Sequence, residues 1–101
     1  MQADNGAAKE GLASLARSVA SEYGRDGIRM NVVSCGPIAT PVAQAAQAQS
    51  ELDWIPMGRA GSSREVADAT VFLASPLSSY ISGQSLVLDG GATAAGPFPT
   101  R

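Results

Sequence analysis

Two segments of this sequence have the pattern of a β-strand, and a long helical segment separates them. Over residues 28–33, Ile28, Met30 and Val32 alternate with Arg29, Asn31 and Val33, which is the period of a strand. Ser85–Leu88 is a short apolar run typical of a buried strand, and Asp89-Gly90-Gly91 after it is expected to form a structural turn. Strands joined through a helix pair in parallel, and a parallel sheet needs both faces covered. Two strands and two main helices cannot do this, so the sequence predicts one end of a larger α/β fold.

The first helical segment runs from about Asn5 to Tyr23. Asp4 or Asn5 is expected to cap its N-terminus, and Gly24 is expected to end it in the left-handed conformation. The apolar residues at helical spacing are Ala8, Leu12, Leu15, Ala16, Val19 and Tyr23.

The second helical segment begins with the spacing of a capping box. Ser62 is predicted as the N-cap and Glu65 as the residue whose side chain returns to it. Ser75-Pro76 ends the segment. Its apolar residues occupy much of the circumference, which predicts a mostly covered helix; they are Val66, Ala67, Ala69, Val71, Phe72 and Leu73.

The remaining segments carry weaker signals. Val42–Leu52, rich in Ala and Gln, is expected to form a short helix, and Trp54 begins a loop. Residues 1–91 are interpreted as one incomplete α/β unit. The tail 92–101 lacks periodicity and is expected to be disordered or held by a partner.

The composition excludes several classes of function. The chain has no His and one Cys, so a zinc site, an internal disulfide and Cys/His or Ser/His/Asp catalysis are not expected, and we predict no metal. A net charge of −2 without a Lys/Arg cluster argues against nucleic acid and anionic membranes. The uncharged stretches contain Pro, Gly and Gln, and the first residues are unlike a signal peptide. We therefore expect a cytoplasmic protein.

Eight short motifs follow one another along the sequence. They are Ala8–Leu12, Glu22–Asn31, Gly36–Pro41, Ile55–Arg59, Glu65–Ala67, Phe72–Ser75, Tyr80–Gln84 and Leu88–Gly91. In this order and spacing they resemble the C-terminal part of the short-chain dehydrogenase/reductase family, especially its 3-oxoacyl-carrier-protein reductase-like members. The resemblance implies a doubly wound, Rossmann-like sheet that binds NAD or NADP, of which this chain would supply the last two parallel strands and two main helices.

The family's catalytic motif is a Tyr four residues before a Lys. Lys9 lies at the Lys position, which implies a catalytic role and a contact with the nicotinamide ribose. The alternative is a solvated lysine on an amphipathic helix. Asn5 lies at the Tyr position, and an amide cannot exchange a proton near neutral pH. The sequence also has no glycine cluster that follows a strand and opens a helix, which is the usual phosphate site.

A second family segment is expected to contact the nicotinamide side of the cofactor. By resemblance its cofactor-binding residues are Gly36, Pro37, Ile38 and Thr40. The alternative is a Pro-rich connector with Thr40 as a local cap. Met57 and the residues before it match the family's substrate-covering region, and ordinary packing is the alternative.

Two functional hypotheses remain open. In the first, the parent architecture is an NAD(P)-dependent oxidoreductase that moves a hydride between nicotinamide and an alcohol/ketone pair, and this chain by itself is inactive. In the second, the chain is a non-catalytic fragment that associates with itself or with a fuller relative. The resemblance implies subunit contacts through the first helix and residues 65–88, and a small-molecule substrate only in a complete fold.

Overall fold

The computed structural model describes residues 2–41 and 52–95. In chain order these residues form α1 (Gln2–Tyr23), β1 (Val32–Cys35), β2 (Ile38–Ala39), β3 (Gly61–Ser62), α2 (Ser63–Ala74), β4 (Ser85–Leu88) and α3 (Ala92–Ala95). The helix expected over Val42–Leu52 lies outside the described residues, except for Leu52, which is in a turn.

The strands form two parallel pairs. β1 pairs with β4, and β2 pairs with β3. The N–H of Val32 donates to the carbonyl of Gln84, and the N–H of Gly36 donates to that of Leu88. Because both partners advance together along the chain, β1 and β4 run in parallel. β2 and β3 are parallel with Ile38 opposite Gly61. The pairing confirms part of a Rossmann-like α/β fold.

The bounds of β4 agree with the sequence, whereas β1 begins later than predicted, at Val32. Ahead of it, the N–H of Met30 donates to the Ser82 hydroxyl, and the Asn31 side chain donates to the carbonyl of Ile81. Ahead of the strand, side chains thus provide part of the pairing, together with the backbone bond from the N–H of Gly83 to the carbonyl of Met30. The pairing of β2 with β3 had no sequence signal, since each strand has only two residues.

The first helix ends at Tyr23 as predicted, but its predicted start and the left-handed conformation expected at Gly24 are wrong. The helix α1 begins at Gln2, so Asp4 and Asn5 lie inside it and neither is the N-cap. Gln and Ala are good helix formers, and nothing in the first residues stops the helix. At the other end, a 3-10 turn continues over Gly24–Asp26, and Gly27 instead has the left-handed conformation, with φ of 77°.

The chain divides into two compact units: unit 1 comprises Met1–Ser34 and Thr70–Leu86, and unit 2 comprises Cys35–Ala69 and Val87–Arg101. In unit 1, Ala16 of α1 is buried. The carbon that an alanine would add at Gly83 lies 3.1 Å from the Ala20 methyl. Close packing against α1 therefore requires glycine at that position.

Arg29 closes the C-terminal turn of α2 within unit 1. Its guanidinium donates to the hydroxyl of Ser78, a buried residue, at 3.0 Å. It also donates to the carbonyls of Leu73, Ser75, Ser78 and Ile81. A helix end leaves carbonyls without partners, and a guanidinium has the planar set of donors that can reach several of them.

In unit 2, the start of α2 confirms the predicted capping box. The N–H of Glu65 donates to the Ser62 hydroxyl at 3.1 Å, and the N–H of Ser62 donates to the Glu65 carboxylate at 2.9 Å. Arg59 adds two hydrogen bonds to the same carboxylate, of 2.9 and 3.0 Å. These bonds lower the pKa of Glu65 to about 2, with the Arg59 hydrogen bond as the largest cause.

The prediction that α2 is mostly covered is wrong for the described residues. None of its residues is buried, and Val71 is 66% exposed. The physical reason is the small number of strands, because sheets of only two strands provide too little surface to cover an apolar helix.

The first residues of the segment 92–101 form a helical turn, and the expectation that this segment is disordered or held by a partner stays a prediction. Ala92–Ala95 form α3. The Asp89 carboxylate accepts from the N–H and the hydroxyl of Thr93, at 2.9 and 2.7 Å, and so satisfies the start of this helical turn. Residues 96–101 lie outside the described part of the chain.

We expect Arg29→Lys to lower the free energy of unfolding by about 2 kcal/mol, because an ammonium cannot replace the guanidinium's bonds to several carbonyls. Urea unfolding followed by circular dichroism measures the change. The matched control is Arg25→Lys, which alters an exposed residue and should leave stability within about 0.5 kcal/mol of the original. Equal losses in both variants would contradict the role given to Arg29.

The stabilisation from Glu65 should depend on pH. The folded-state pKa is about 2, against an ordinary value of 4.5, so the stabilisation is present above 4.5 and is lost as pH falls towards 2. We expect Glu65→Gln to lower the melting temperature near neutral pH, and the difference from the unaltered chain to shrink over that window. Glu22→Gln, an exposed change in α1, should have a smaller effect near neutral pH. A difference that stays constant down to pH 2 would contradict the assignment.

Candidate functional site

Unit 2 contains an open cavity of about 330 Å³ at the carboxyl ends of β1 and β4. Pro37 and Ile38, which follow β1, line it together with Leu88, Asp89 and the two glycines that follow β4. In open α/β sheets, ligands bind outside the carboxyl ends of the strands. The cavity is therefore the candidate site of this unit.

The walls of the cavity are mostly apolar. Ile55 is only 2% exposed, whereas Met57 is 61% and Val87 48% exposed. One wall is thus part of the core, and the rim presents apolar surface to water. The apolar lining residues are Ile38, Ile55, Met57, Val66, Val87 and Leu88.

Backbone hydrogen bonds hold these walls in place. The N–H of Met57 donates to the carbonyl of Gly90 at 3.1 Å, and the N–H of Gly61 donates to that of Pro37 at 3.0 Å. Gly90 has φ of +64°, and the carbon that an alanine would add there lies 2.7 Å from Cγ2 of Ile55. Glycine therefore allows the backbone after β4 to approach the buried Ile55.

The charged groups on the cavity wall are compensated. Arg59 donates to both carboxylate oxygens of Glu65 and also to the carbonyl of Ala60. The hydrogen bond to Glu65 raises the pKa of Arg59 above its ordinary value. Such a two-point contact between guanidinium and carboxylate occupies the donors that an anion would otherwise use.

Asp89 is also satisfied by its own surroundings. One carboxylate oxygen accepts from the N–H of Gly91 at 3.0 Å, and the other accepts from the N–H and hydroxyl of Thr93. These bonds, with the Thr93 hydroxyl as the largest cause, lower the pKa of Asp89. The carboxylate acts here as a structural acceptor, in agreement with the turn that the sequence predicts after β4.

The predicted cofactor segment lies in the same unit. Pro37 and Ile38 line the cavity. The N–H of Gly36 donates to the carbonyl of Leu88, and an added carbon at Gly36 lies 3.1 Å from the Asp89 backbone. Thr40 follows β2 and is partly buried. The structure thus brings Gly36–Ile38 against the residues at the end of β4.

The predicted catalytic position lies in unit 1. Lys9 is an exposed residue of α1, and Asn5 is four positions earlier in the same helix. Lys9 and the Gly36–Thr40 segment belong to different units. The two tyrosines, Tyr23 and Tyr80, are both exposed.

The described residues do not fit a whole dinucleotide. Pyrophosphates bind where free N–H groups meet at a helix N-terminus. At the start of α2, the Ser62 hydroxyl already accepts from the N–H of Glu65, and the carboxylate of Glu65 adds a negative charge. The N–H groups of Ser62 and Glu65 at that end of the helix therefore already have acceptors and are not free to bind a phosphate. The apolar cavity beside Gly36–Ile38 suits at most the nicotinamide end.

Sequence reasoning missed most of the cavity wall. Ile55, Arg59 and Val66 were interpreted as parts of a loop and of a helix face, and Asp89 as a turn. One signal was available, because residues that follow two parallel strands meet at the same edge of the sheet.

Two kinds of feature are absent from residues 2–41 and 52–95. They contain no group of three His, Cys, Asp or Glu side chains that could hold a metal ion. They also contain no helix that is long and apolar enough to cross a membrane.

The sequence has many curated relatives. A family model described as enoyl-(acyl carrier protein) reductase matches residues 2–93. Glucose 1-dehydrogenase of Gluconobacter oxydans (strain 621H) is 43% identical over 97 residues, which cover 91% of this chain and 36% of that protein. The 3-oxoacyl-[acyl-carrier-protein] reductase of Chlamydia pneumoniae is 40% identical over 91% of this chain and 38% of its own length. The chain thus spans little more than a third of these relatives.

Solved structures agree with the sequence comparison. A short-chain dehydrogenase/reductase family oxidoreductase from Burkholderia thailandensis superposes with a TM-score of 0.83 at 42% identity, over 87% of this chain and 36% of that one. A putative 2-deoxy-d-gluconate 3-dehydrogenase from Agrobacterium tumefaciens with bound NADP has a TM-score of 0.79 at 39% identity, over 87% of this chain and 38% of that one. Since sequence and fold agree over most of its residues, the chain belongs to the short-chain dehydrogenase/reductase family.

Proposed function

We propose that this chain is the C-terminal part of an NAD(P)-dependent oxidoreductase, which transfers a hydride between nicotinamide and an alcohol/ketone pair. The observation that carries the proposal is the cavity at the carboxyl ends of β1 and β4, bordered by Pro37 and Ile38. The match to the family over residues 2–93 and the relative with bound NADP support the choice of cofactor. The cytoplasm is the proposed location.

The proposed roles of individual residues follow the family's motifs. Gly36, Pro37, Ile38 and Thr40 would border the nicotinamide end, and Lys9 would contact the ribose. The position of Gly36–Thr40 after β1 supports their role at the nicotinamide end. The exposed position of Lys9 on α1 leaves its side chain free to contact the ribose. NADPH or NADH would supply the hydride in ketone reduction, and the oxidised cofactor would accept it in alcohol oxidation. The rest of the cofactor would need phosphate-binding residues beyond those described.

By itself the chain is proposed to be inactive. Proton transfer to a carbonyl oxygen needs a group that can lose and regain a proton near neutral pH. Asn5, at the position where the family has Tyr, is an amide without that capacity. Lys9 lies one helical turn further along α1. At the family's Tyr position an ammonium lowers the pKa of the phenol, whereas Asn5 provides no phenol for Lys9 to act on.

A non-catalytic role through association is the second candidate. Within unit 1, Val71, Leu77 and Tyr80 are largely exposed, and Leu77 reaches 83%. Large apolar side chains left exposed to water favour association with another protein surface. The partner would be a second copy of the chain, giving a homo-oligomer, or a fuller member of the same family. The exposed side chains favour this role without distinguishing between the two partners.

Calorimetric titration of the purified chain with NADH and then NADPH tests whether the chain holds the cofactor. We expect no heat of binding at millimolar concentrations, because the described helix N-terminus in unit 2 is already capped by Ser62 and Glu65. Micromolar binding of either cofactor would contradict this expectation. It would mean that association of copies builds a phosphate site.

Activity assays test the missing proton donor separately. We expect carbonyl reduction by the chain to be undetectable with either cofactor, and Asn5→Tyr alone to leave it so, because the phosphate site is lacking as well. Absorbance of the reduced nicotinamide follows the reaction. Turnover that disappears in Lys9→Ala, or a gain of turnover in Asn5→Tyr, would overturn the proposal of an inactive chain.

A further inference from the structure

We infer that Met57 is a site of reversible oxidation by peroxides, and that it is oxidised faster than Met30 in the folded chain. The inference is carried by the exposure of Met57, by the hydrogen bonds that hold its backbone, and by the different surroundings of Met30. It is independent of the proposed enzymatic function, because neither a cofactor nor turnover enters it.

Met57 is open to solvent. The residue is 61% exposed, although it belongs to the wall of the unit 2 cavity. A peroxide has to reach the thioether sulfur before it can react, so the methionines that are exposed in the folded state are oxidised without any unfolding. Met57 therefore meets the steric requirement for direct oxidation.

The exposure of Met57 belongs to a defined turn. The N–H of Met57 donates to the carbonyl of Gly90 at 3.1 Å. The next residue, Gly58, has φ of +72°, and its N–H donates to the carbonyl of Ile55 at 2.7 Å. Ile55 is itself only 2% exposed. These contacts fix the backbone on both sides of Met57, so that its exposure is a property of the folded chain.

Met30 has different surroundings in unit 1. It is partly buried. Its N–H donates to the Ser82 hydroxyl, and its carbonyl accepts from the N–H of Gly83 at 2.7 Å. Met30 also borders a second cavity, of about 480 Å³, so its protection is partial. Complete access to its sulfur requires local opening of the segment that leads into β1.

The oxidation needs only the peroxide as a co-reactant. The thioether sulfur attacks one oxygen of hydrogen peroxide, an S–O bond forms and the O–O bond breaks. The proton of the transferred oxygen moves to the leaving oxygen, which departs as water. The sulfur loses two electrons and the peroxide gains them. Methionine sulfoxide reductases reverse this reaction, each acting on one sulfoxide epimer.

Oxidation changes the chemistry of the cavity wall. Met57 shares this wall with Ile38 and Val87, which have apolar side chains. The sulfoxide replaces a flexible apolar side chain by a polar one. A polar group beside apolar surface needs a hydrogen-bond partner, and at an exposed residue water provides it. The modification therefore makes part of an apolar wall hydrophilic.

The test exposes the full chain to hydrogen peroxide and measures the gain of oxygen over time by mass spectrometry. Trypsin and a Glu-specific protease separate the two methionines, because Glu51 lies between them in the sequence. Fragmentation of the peptides distinguishes oxygen on Met30 from oxygen on Cys35. We expect Met57 to react about three-fold faster than Met30, or more, in buffer.

The same measurement in urea separates the effect of the fold from the intrinsic reactivity of each methionine. Unfolding exposes both sulfurs, so the two rates should come within about two-fold of each other. Met57→Leu and Met30→Leu form a matched pair of variants that keep side-chain volume. The first should abolish the faster reaction, and the second should leave it unchanged.

Reversal is tested on the oxidised chain, refolded in buffer, with the two classes of methionine sulfoxide reductase and a thiol reductant. We expect the mass of the Met57 peptide to return to its original value. Three results would overturn the inference. They are equal rates for Met57 and Met30 in buffer, a preference for Met57 that persists unchanged in urea, or a Met57 sulfoxide that the reductases leave untouched. Since no cofactor is present, the outcome of the cofactor titration has no bearing on these results.

Discussion

The parallel pairing of β1 with β4 is the constraint on which the candidate site depends. It reaches its last bond where the N–H of Gly36 donates to the carbonyl of Leu88. Beyond that bond both strands end at the same edge, so Pro37 and Ile38 come to lie beside Asp89 and the two glycines. Because parallel strands place their carboxyl ends together, the pairing of β1 with β4 both forms the cavity and determines where it lies.

The capping box at the start of α2 has two consequences for function. It satisfies the helix N-terminus with the side chains of Ser62 and Glu65, which removes a possible phosphate site. Through Arg59, the same carboxylate also neutralises the cation on the cavity wall. A local motif that stabilises a helix therefore also fixes the pairing of the charged groups on the neighbouring cavity wall.

Structural features that depend on residues only a few positions apart in the sequence were predicted correctly. The capping box needs only Ser62 and Glu65, three residues apart, and the structure confirms both of its bonds. The bounds of β4 were confirmed for a similar reason, since a short apolar run bounded by turn residues forms few structures other than a strand. The helix start at Asn5 was wrong because several residues there were equally able to begin a helix, and α1 extends to Gln2.

The amino-acid sequence by itself determined the α/β class, the family and the start of α2, because periodicity, motif spacing and capping act between near neighbours. Only the tertiary structure decided the cavity and the role of Arg29. Its guanidinium reaches carbonyls 44 to 52 residues away, and Ile38, Ile55 and Val87 meet around one space although they are far apart in the chain. Such contacts depend on the path of the backbone through parallel strands and left-handed glycines, and no local pattern of residues encodes that path.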